Sequence, residues 1–302
     1  MIRQRTLAHS IRCSGIGLHS GRKIELVLYP AAADAGITFV RSDLGVEIPA
    51  RSAFVTDTRL CTTIGRDGAH VSTVEHLLSA MAGLGIDNAR IEVNGPEVPI
   101  MDGSAAPFVF LIQCAGIREQ DRPKKVLRVL KKIEVSEGNK RCALYPSGGF
   151  KVSYLLDYDH PLLKNRQVSI DFSRQAYARE VSRARTFGFL HEIEALQKAG
   201  LALGGSLENA VVLDKYRVIN ESGFRYRDEC VRHKILDTLG DLMLAGHAIV
   251  GAFEGQRTGH EMNHKLVSAL LADPESHRIE VLQGGDAEPE VSAALRGVLQ
   301  RG

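Results

Sequence analysis

His233, Asp237 and Asp241 stand at i, i+4 and i+8, a spacing that lays three donor side chains along one face of an α-helix. A histidine and an aspartate one turn apart can both reach a single metal ion. In the same segment, 229–245, Val231, Ile235, Leu236, Leu239, Leu242 and Met243 fill the opposite arc, which a helix turns toward its own sheet. A solvated polar face would show the same pattern, so the spacing leaves both readings open. A second segment, starting at Ser72, has the same construction. Val74, Leu77, Leu78 and Met81 form its apolar arc, and His76 stands opposite among Ser79, Ala80 and Gly83. A histidine among small residues suits close approach by another layer. Glu75 precedes it, and Ser72-Thr-Val-Glu75 also has capping-box spacing, which gives that carboxylate a second role to be weighed. If the two helical faces meet, His76, His233 and Asp237 supply three N/O ligands and leave a fourth position for water. That is the pattern of a catalytic zinc, with Glu75 placed to take a proton from the water.

A competing motif is His260-Glu-Met-Asn-His264, which matches the His-Glu-x-x-His of zinc metalloproteases. The extended form of that motif would require Gly at 267 and His at 270, where this chain has Val267 and Leu270. The pair also follows Gly259 at a helix start, and His264 is expected to be an incidental surface residue. A binding module with a structural zinc is the rival from another class, but such a site normally has four protein ligands and no water. The turn at Gly204, Gly205 and Ser206 is the only support for a small-molecule kinase relative, and no phosphate loop surrounds it.

The elements that must hold these residues can be read in outline. The first half opens with turn chemistry at 15–21, an alternating strand at 23–29 and a second strand at 36–40. The helix from Ser72 ends at Gly83 and Gly85, a strand follows at 88–94, and Ser104 caps a helix reaching about Ala115. Residues 118–125, charged and containing Pro123, read as a linker. The second half predicts strands at 125–136, 141–146, 151–156 and 167–171, the helix 229–245, a strand at 247–253 and a helix from His260. Each half therefore runs strands, helix, strand, helix. The implied class is α+β: two similar domains, 1–124 and 125–275, each a sheet with helices on one face. A βαβ excursion at 187–216 interrupts the second, and 276–302 forms a C-terminal tail with a weak helical run at 291–299.

The 302 residues carry 38 Lys and Arg against 36 Asp and Glu, a net charge of +2, too small to favour nucleic acid. The five cysteines are dispersed and never form Cys-x-x-Cys, which argues against a disulfide framework and a thiolate zinc site. The N-terminus has no apolar core of a signal peptide, and the longest apolar stretch is too short to span a bilayer. A cytoplasmic, monomeric protein is expected.

Six ordered blocks carry a resemblance: GIGLHSG (15–21), STVEHLLSA (72–80), GPEVPIMDGS (95–104), SRARTFGF (182–189), VRHKILDTLGD (231–241) and TGH (258–260). Over nearly the whole chain, to about residue 275, they resemble the UDP-3-O-acyl-N-acetylglucosamine deacetylases, zinc enzymes of lipid A synthesis. The resemblance implies one catalytic zinc on His76, His233 and Asp237, with Glu75 as catalytic carboxylate. It further implies His260 as a second acid/base group with Asp241 as its partner, Thr186 as the oxyanion-side hydroxyl, and Lys234 in the active site facing the substrate's diphosphate. The family fold is two β-α-α-β sandwiches with helical layers facing each other and the site between them. The excursion would form a passage for the substrate's acyl chain, lined by Phe187, Phe189, Leu196, Leu201, Leu203, Val211 and Val212. The implied substrate is a small molecule, an acylated UDP-N-acetylglucosamine.

Overall fold

The structure is a computed structural model that describes residues 1–282. Its larger helices are α1 (Glu75–Leu84), α2 (Ala106–Ala115), α3 (Leu190–Lys198), α4 (Glu229–Met243) and α5 (His260–Ala272), besides an irregular turn over Arg174–Ala176 and Tyr177–Val181. The chain is thus mixed α and β, with several sheets. In the first half, five strands pair in the order Ile11–Ile16, Lys23–Pro30, Ala89–Val93, Ile37–Arg41, Val46–Pro49. Lys23–Pro30 alternates as its sequence predicts: Ile24, Leu26 and Leu28 point inward and are buried. They share one core with Leu77, Leu78 and Met81 of α1 and with Phe108 and Ile112 of α2. A small antiparallel sheet of Val55–Asp57, Thr63–Arg66 and Ala69–Val71 leads the chain into α1.

In the second half, Ala248–Gln256 is the spine of a seven-stranded sheet. It lies antiparallel to Lys140–Tyr145 and parallel to Phe150–Leu156 and Lys125–Val129. Leu144, Val152, Tyr154 and Phe253 from these strands meet Ile235, Leu236 and Leu239 of α4 and Leu266 and Leu270 of α5. The order strands, helix, strand, helix recurs in both halves. Between the halves, α1 and α4 lie directly against each other. The contact is so close that a Cβ on Gly240 would stand 2.0 Å from the Glu75 carbonyl oxygen. Small residues are required there because two helix backbones are pressed together.

Several expectations need correction. Residues 118–125 are no open linker: Ile117–Pro123 is a strand antiparallel to Arg3–Leu7, a pairing whose N-terminal partner carries little strand signal of its own. The strand expected over 125–136 is two, Lys125–Val129 and Ile133–Glu137. The break comes where Leu130 turns out of the sheet and its amide donates to Ser276. The expected tail begins later than 276, because His277–Val281 is an edge strand antiparallel to Lys125–Val129, held by a long-range pairing that local sequence does not reveal. The helical run at 291–299 lies outside the described residues. The excursion is βαβ: Phe187–Phe189 runs parallel to Val211–Leu213 with α3 between them.

Candidate metal centre

His76 enters from the first turn of α1, and His233 and Asp237 come from consecutive turns of α4. Each histidine Nε2 faces the same oxygen, Asp237 Oδ1, at 3.5 Å from His76 and 3.2 Å from His233. The rings meet edge to face with centroids 4.9 Å apart. All three residues are buried, and these donor atoms lie within 4.8 Å of one another. Asp237 Oδ1 has no hydrogen-bond partner among the described residues. A buried carboxylate oxygen left bare, with two imidazole nitrogens turned to it, is costly unless something cationic joins them. Two nitrogens and one oxygen suit zinc with an open coordination position.

The electrostatics agree. Burial drives the His233 pKa down to about 3, against the pull of Asp237, so the ring is neutral and its lone pair is free. Its Nδ1 stands 3.0 Å from the Ala184 carbonyl, a contact that fixes the proton on Nδ1 and leaves Nε2 as donor to a metal. Burial opposes ionisation of Asp237, but His233 and Lys234 hold its carboxyl well below the usual range. Lys234 donates to Asp237 Oδ2 at 2.9 Å and lies over the Phe187 ring at 5.8 Å. That lysine is therefore committed to the Asp237 carboxylate, where the sequence reading has a point charge facing a diphosphate.

Around these three residues stand further buried ionisable groups. Glu75 is not a capping residue. Ser72 lies in a bridge with Glu97, its hydroxyl accepts from Thr63, and Val74 begins the helix with no side-chain cap. The Glu75 carboxylate instead accepts the Thr62 amide at 3.0 Å and faces His260 Nε2 at 3.9 Å. Its pKa is raised by burial, with His260 and His76 pulling the other way. His260 Nδ1 pairs with Asp241 Oδ2 at 3.0 Å. Burial disfavours a charged His260, but Asp241 and Glu75 more than offset this and raise its pKa to about 9. Asp241 also accepts from the Thr62 hydroxyl at 2.6 Å and from Asn263 at 2.9 Å.

His264, the second histidine of the protease-like motif, is half-buried one turn further along α5 and lies outside the three-residue donor group. His260 opens α5 and is bound to Asp241, so the motif does not present two histidines to one ion.

The chain matches the family described as UDP-3-O-acyl N-acetylglycosamine deacetylase over residues 4–272. The chain belongs to that family. It is 57% identical over 275 residues to the UDP-3-O-acyl-N-acetylglucosamine deacetylase of Acidithiobacillus ferrooxidans, covering 90% of each chain. Against the enzyme of that name from Chromohalobacter salexigens it is 52% identical over 298 residues, 97% of this chain and 98% of the relative. The one from Pseudomonas entomophila is 53% identical over 293 residues, 96% and 97% of the two chains. The protein is accordingly a deacetylase, a hydrolase of an amide, in a metalloenzyme family.

For the remaining residues of the deacetylase the geometry is less direct. The Thr186 backbone is fixed on both sides, its amide donating to Gly103 and its carbonyl accepting from Val211. Phe187, Phe189, Leu196 and Leu201 are half-buried and Leu203 is exposed. Val211 is fully buried in the core and Val212 nearly so, which corrects the expectation that these two line a passage: neither offers a surface to a ligand. Sequence reasoning missed Thr62, which bridges Glu75 and Asp241, and Asn263, which stands three residues after His260 on the same helical face. It also missed His19 of the glycine-rich turn. Both of its ring nitrogens are shielded and have no hydrogen-bond partner among the described residues. Burial lowers its pKa, with Glu97 opposing and His260 and His76 adding to the effect. A histidine between Gly17 and Gly21 in a glycine-rich turn was the available signal. No helix of the described residues is long and apolar enough to cross a membrane.

Proposed function

We propose that this deacetylase hydrolyses the N-acetyl group of a UDP-3-O-(3-hydroxyacyl)-N-acetylglucosamine, the committed step of lipid A synthesis, releasing acetate and the free amine. The reading rests on one observation above all: His76 Nε2, His233 Nε2 and Asp237 Oδ1 converge in a buried site, within a chain so similar to enzymes of that name. A single zinc ion held by these three residues would polarise both a water molecule and the acetyl carbonyl. Glu75 takes the proton of the attacking water, and its raised pKa brings it closer to the pH at which it works. His260, kept cationic by Asp241 and Glu75, steadies the developing negative charge and delivers a proton to the departing amine. The Thr186 hydroxyl is assigned to the oxyanion side. Lys234 holds Asp237 ionised and leaves its charge near the sugar diphosphate.

In this reading the two runs of strands, helix, strand, helix are two sandwiches, 1–124 and 125–275, whose helical layers face each other across the site. Direct packing of α1 on α4 supports it. The excursion guides the acyl chain along Phe187, Phe189, Leu196, Leu201 and Leu203. The enzyme is read as a monomer, working in the cytoplasm where UDP-sugars are made. The test is incubation of the purified protein with the acylated UDP-sugar. Stoichiometric acetate and free amine are expected; an intact amide alongside cleavage of a peptide substrate would overturn the proposal.

A further inference from the structure

Glu229 is fully buried one turn before His233 on the same face of α4. Its carboxylate collects four donors. Oε1 accepts the Arg185 amide at 3.0 Å and Arg185 Nε at 2.9 Å, while Oε2 accepts Arg185 Nη2 at 3.1 Å and the Arg225 amide at 2.6 Å. Arg185 is itself buried, and its Nη2 also donates to the Gly223 carbonyl at 2.7 Å. This pair contacts no reacting group, yet Arg185 lies between two residues that matter. The carbonyl of Ala184 receives His233 Nδ1, and Thr186 follows with its amide on Gly103. The donor stripe of α4 therefore begins at Glu229, which grips the backbone on which both neighbours ride.

We infer that Arg185 and Glu229 are positioning residues for the metal centre: their buried, two-pronged ion pair locks residues 184–186 against α4. The lock sets the ring plane and tautomer of His233 and the location of the Thr186 hydroxyl. Three features support a positioning role over simple stability. A buried ion pair is weak as a stabilising device, since desolvation offsets most of its attraction. Its guanidinium geometry is directional, which a point charge would not supply. Its backbone contact falls on the one residue flanked by both a ligand's hydrogen-bond acceptor and the proposed oxyanion hydroxyl. Outer hydrogen bonds of this kind typically govern metal affinity by about 10- to 100-fold.

The inference rests on the zinc reading above, and the experiment separates the two. Arg185→Lys retains the charge but loses the fork. Metal-free wild type and variant are titrated with zinc against a chromogenic chelator, and the cobalt-substituted forms are compared by visible absorption. The melting temperature of each metal-free form is measured alongside. The variant should bind zinc about 10-fold or more weakly and show an altered cobalt spectrum. When saturated with metal, it should lose kcat more than it changes KM. Should Arg185→Lys fail to fold, the double variant Arg185→Met with Glu229→Gln removes both buried charges and keeps an acceptor for one backbone amide. It is expected to show the same direction of change. Wild-type zinc affinity, cobalt spectrum and kcat in whichever variant folds, even with a lowered melting temperature, would overturn the positioning role. Failure of the wild type to bind zinc at all would instead overturn the metal reading on which it rests.

Discussion

At the scale of single residues, Glu75 and His260 carry the opposing halves of the proposed proton traffic, 3.9 Å apart. Glu75 is required as carboxylate and His260 as imidazolium, so activity should rise with pH as Glu75 ionises and fall as His260 loses its proton. Burial raises the Glu75 pKa, which puts the acidic limb above the ordinary carboxylate range. The His260 pKa, raised to about 9 by Asp241 and Glu75 against burial, puts the basic limb near that value. A bell-shaped kcat/KM profile is the expected result, and loss of its basic limb in His260→Ala checks the assignment. Glu75→Gln should lower turnover by roughly 10² to 10⁴ while zinc content is unchanged. Its effect on stability should be small or favourable, because Gln can still accept the Thr62 amide and no longer buries a charge. Turnover near wild type in that variant would dismiss Glu75 as the base. The sequence showed Glu75 beside His76, but its capping-box spacing gave no way to choose between two jobs. Only the bridge from Ser72 to Glu97 removes the cap. Thr62 was invisible for a related reason: its two contacts reach 13 and 179 residues along the chain.

At the scale of elements, helical periodicity put His76, His233 and Asp237 on the two helix faces that meet. The segments read as helices from their apolar arcs are helices, and the small residues that share the face of His76 meet other layers. Ser79 bonds the Tyr177 hydroxyl, and a Cβ on Gly83 would stand 2.1 Å from the Tyr177 ring. What periodicity could not give was the register between α1 and α4, which is set by Gly240 against the Glu75 carbonyl. Gly240→Ala should therefore force the helices apart, destabilising the fold by about 1–3 kcal/mol as overpacking does. Because His76 and Glu75 ride on one helix and the remaining ligands on the other, the same change should weaken zinc binding. Denaturant unfolding together with metal analysis checks both; an unaltered midpoint and metal content would mean the contact can relax without moving the site. Edge elements were poorly legible. Ile117–Pro123 reads as a polar linker and His277–Val281 as a tail because each is a short edge strand whose partner lies far away in sequence.

At the scale of the whole molecule, the excursion is tied to the first half through its tip. The Gly204 amide donates to Leu18 at 2.9 Å and the Leu203 amide to His19 at 3.3 Å, and a side chain at Gly204 would overlap the Gly17 carbonyl. This clasp brings the half-buried apolar residues of 187–203 and the glycine-rich turn together, a long-range union that no local pattern announces. If the excursion guides the acyl chain, each buried methylene contributes roughly 0.8 kcal/mol. Catalytic efficiency should then fall by orders of magnitude on bare UDP-N-acetylglucosamine and climb steadily with chain length. Leu196→Ala should flatten that climb without touching zinc content, and equal efficiency on the bare sugar would dismiss the passage. The recurrence of strands, helix, strand, helix in both halves was legible from the start, and the candidate donor group lies where α1 and α4 touch. The central claim is that this junction holds one catalytic zinc on His76, His233 and Asp237. Its most direct test is to strip the protein with chelator and titrate zinc back while following acetate release from the acylated UDP-sugar. Activity should vanish and then return linearly to a plateau at one equivalent per chain, with no recovery in His76→Ala, His233→Ala or Asp237→Ala at that zinc level and full recovery in His264→Ala. Undiminished acetate release from the stripped protein, or recovery that depends on His264, would contradict it.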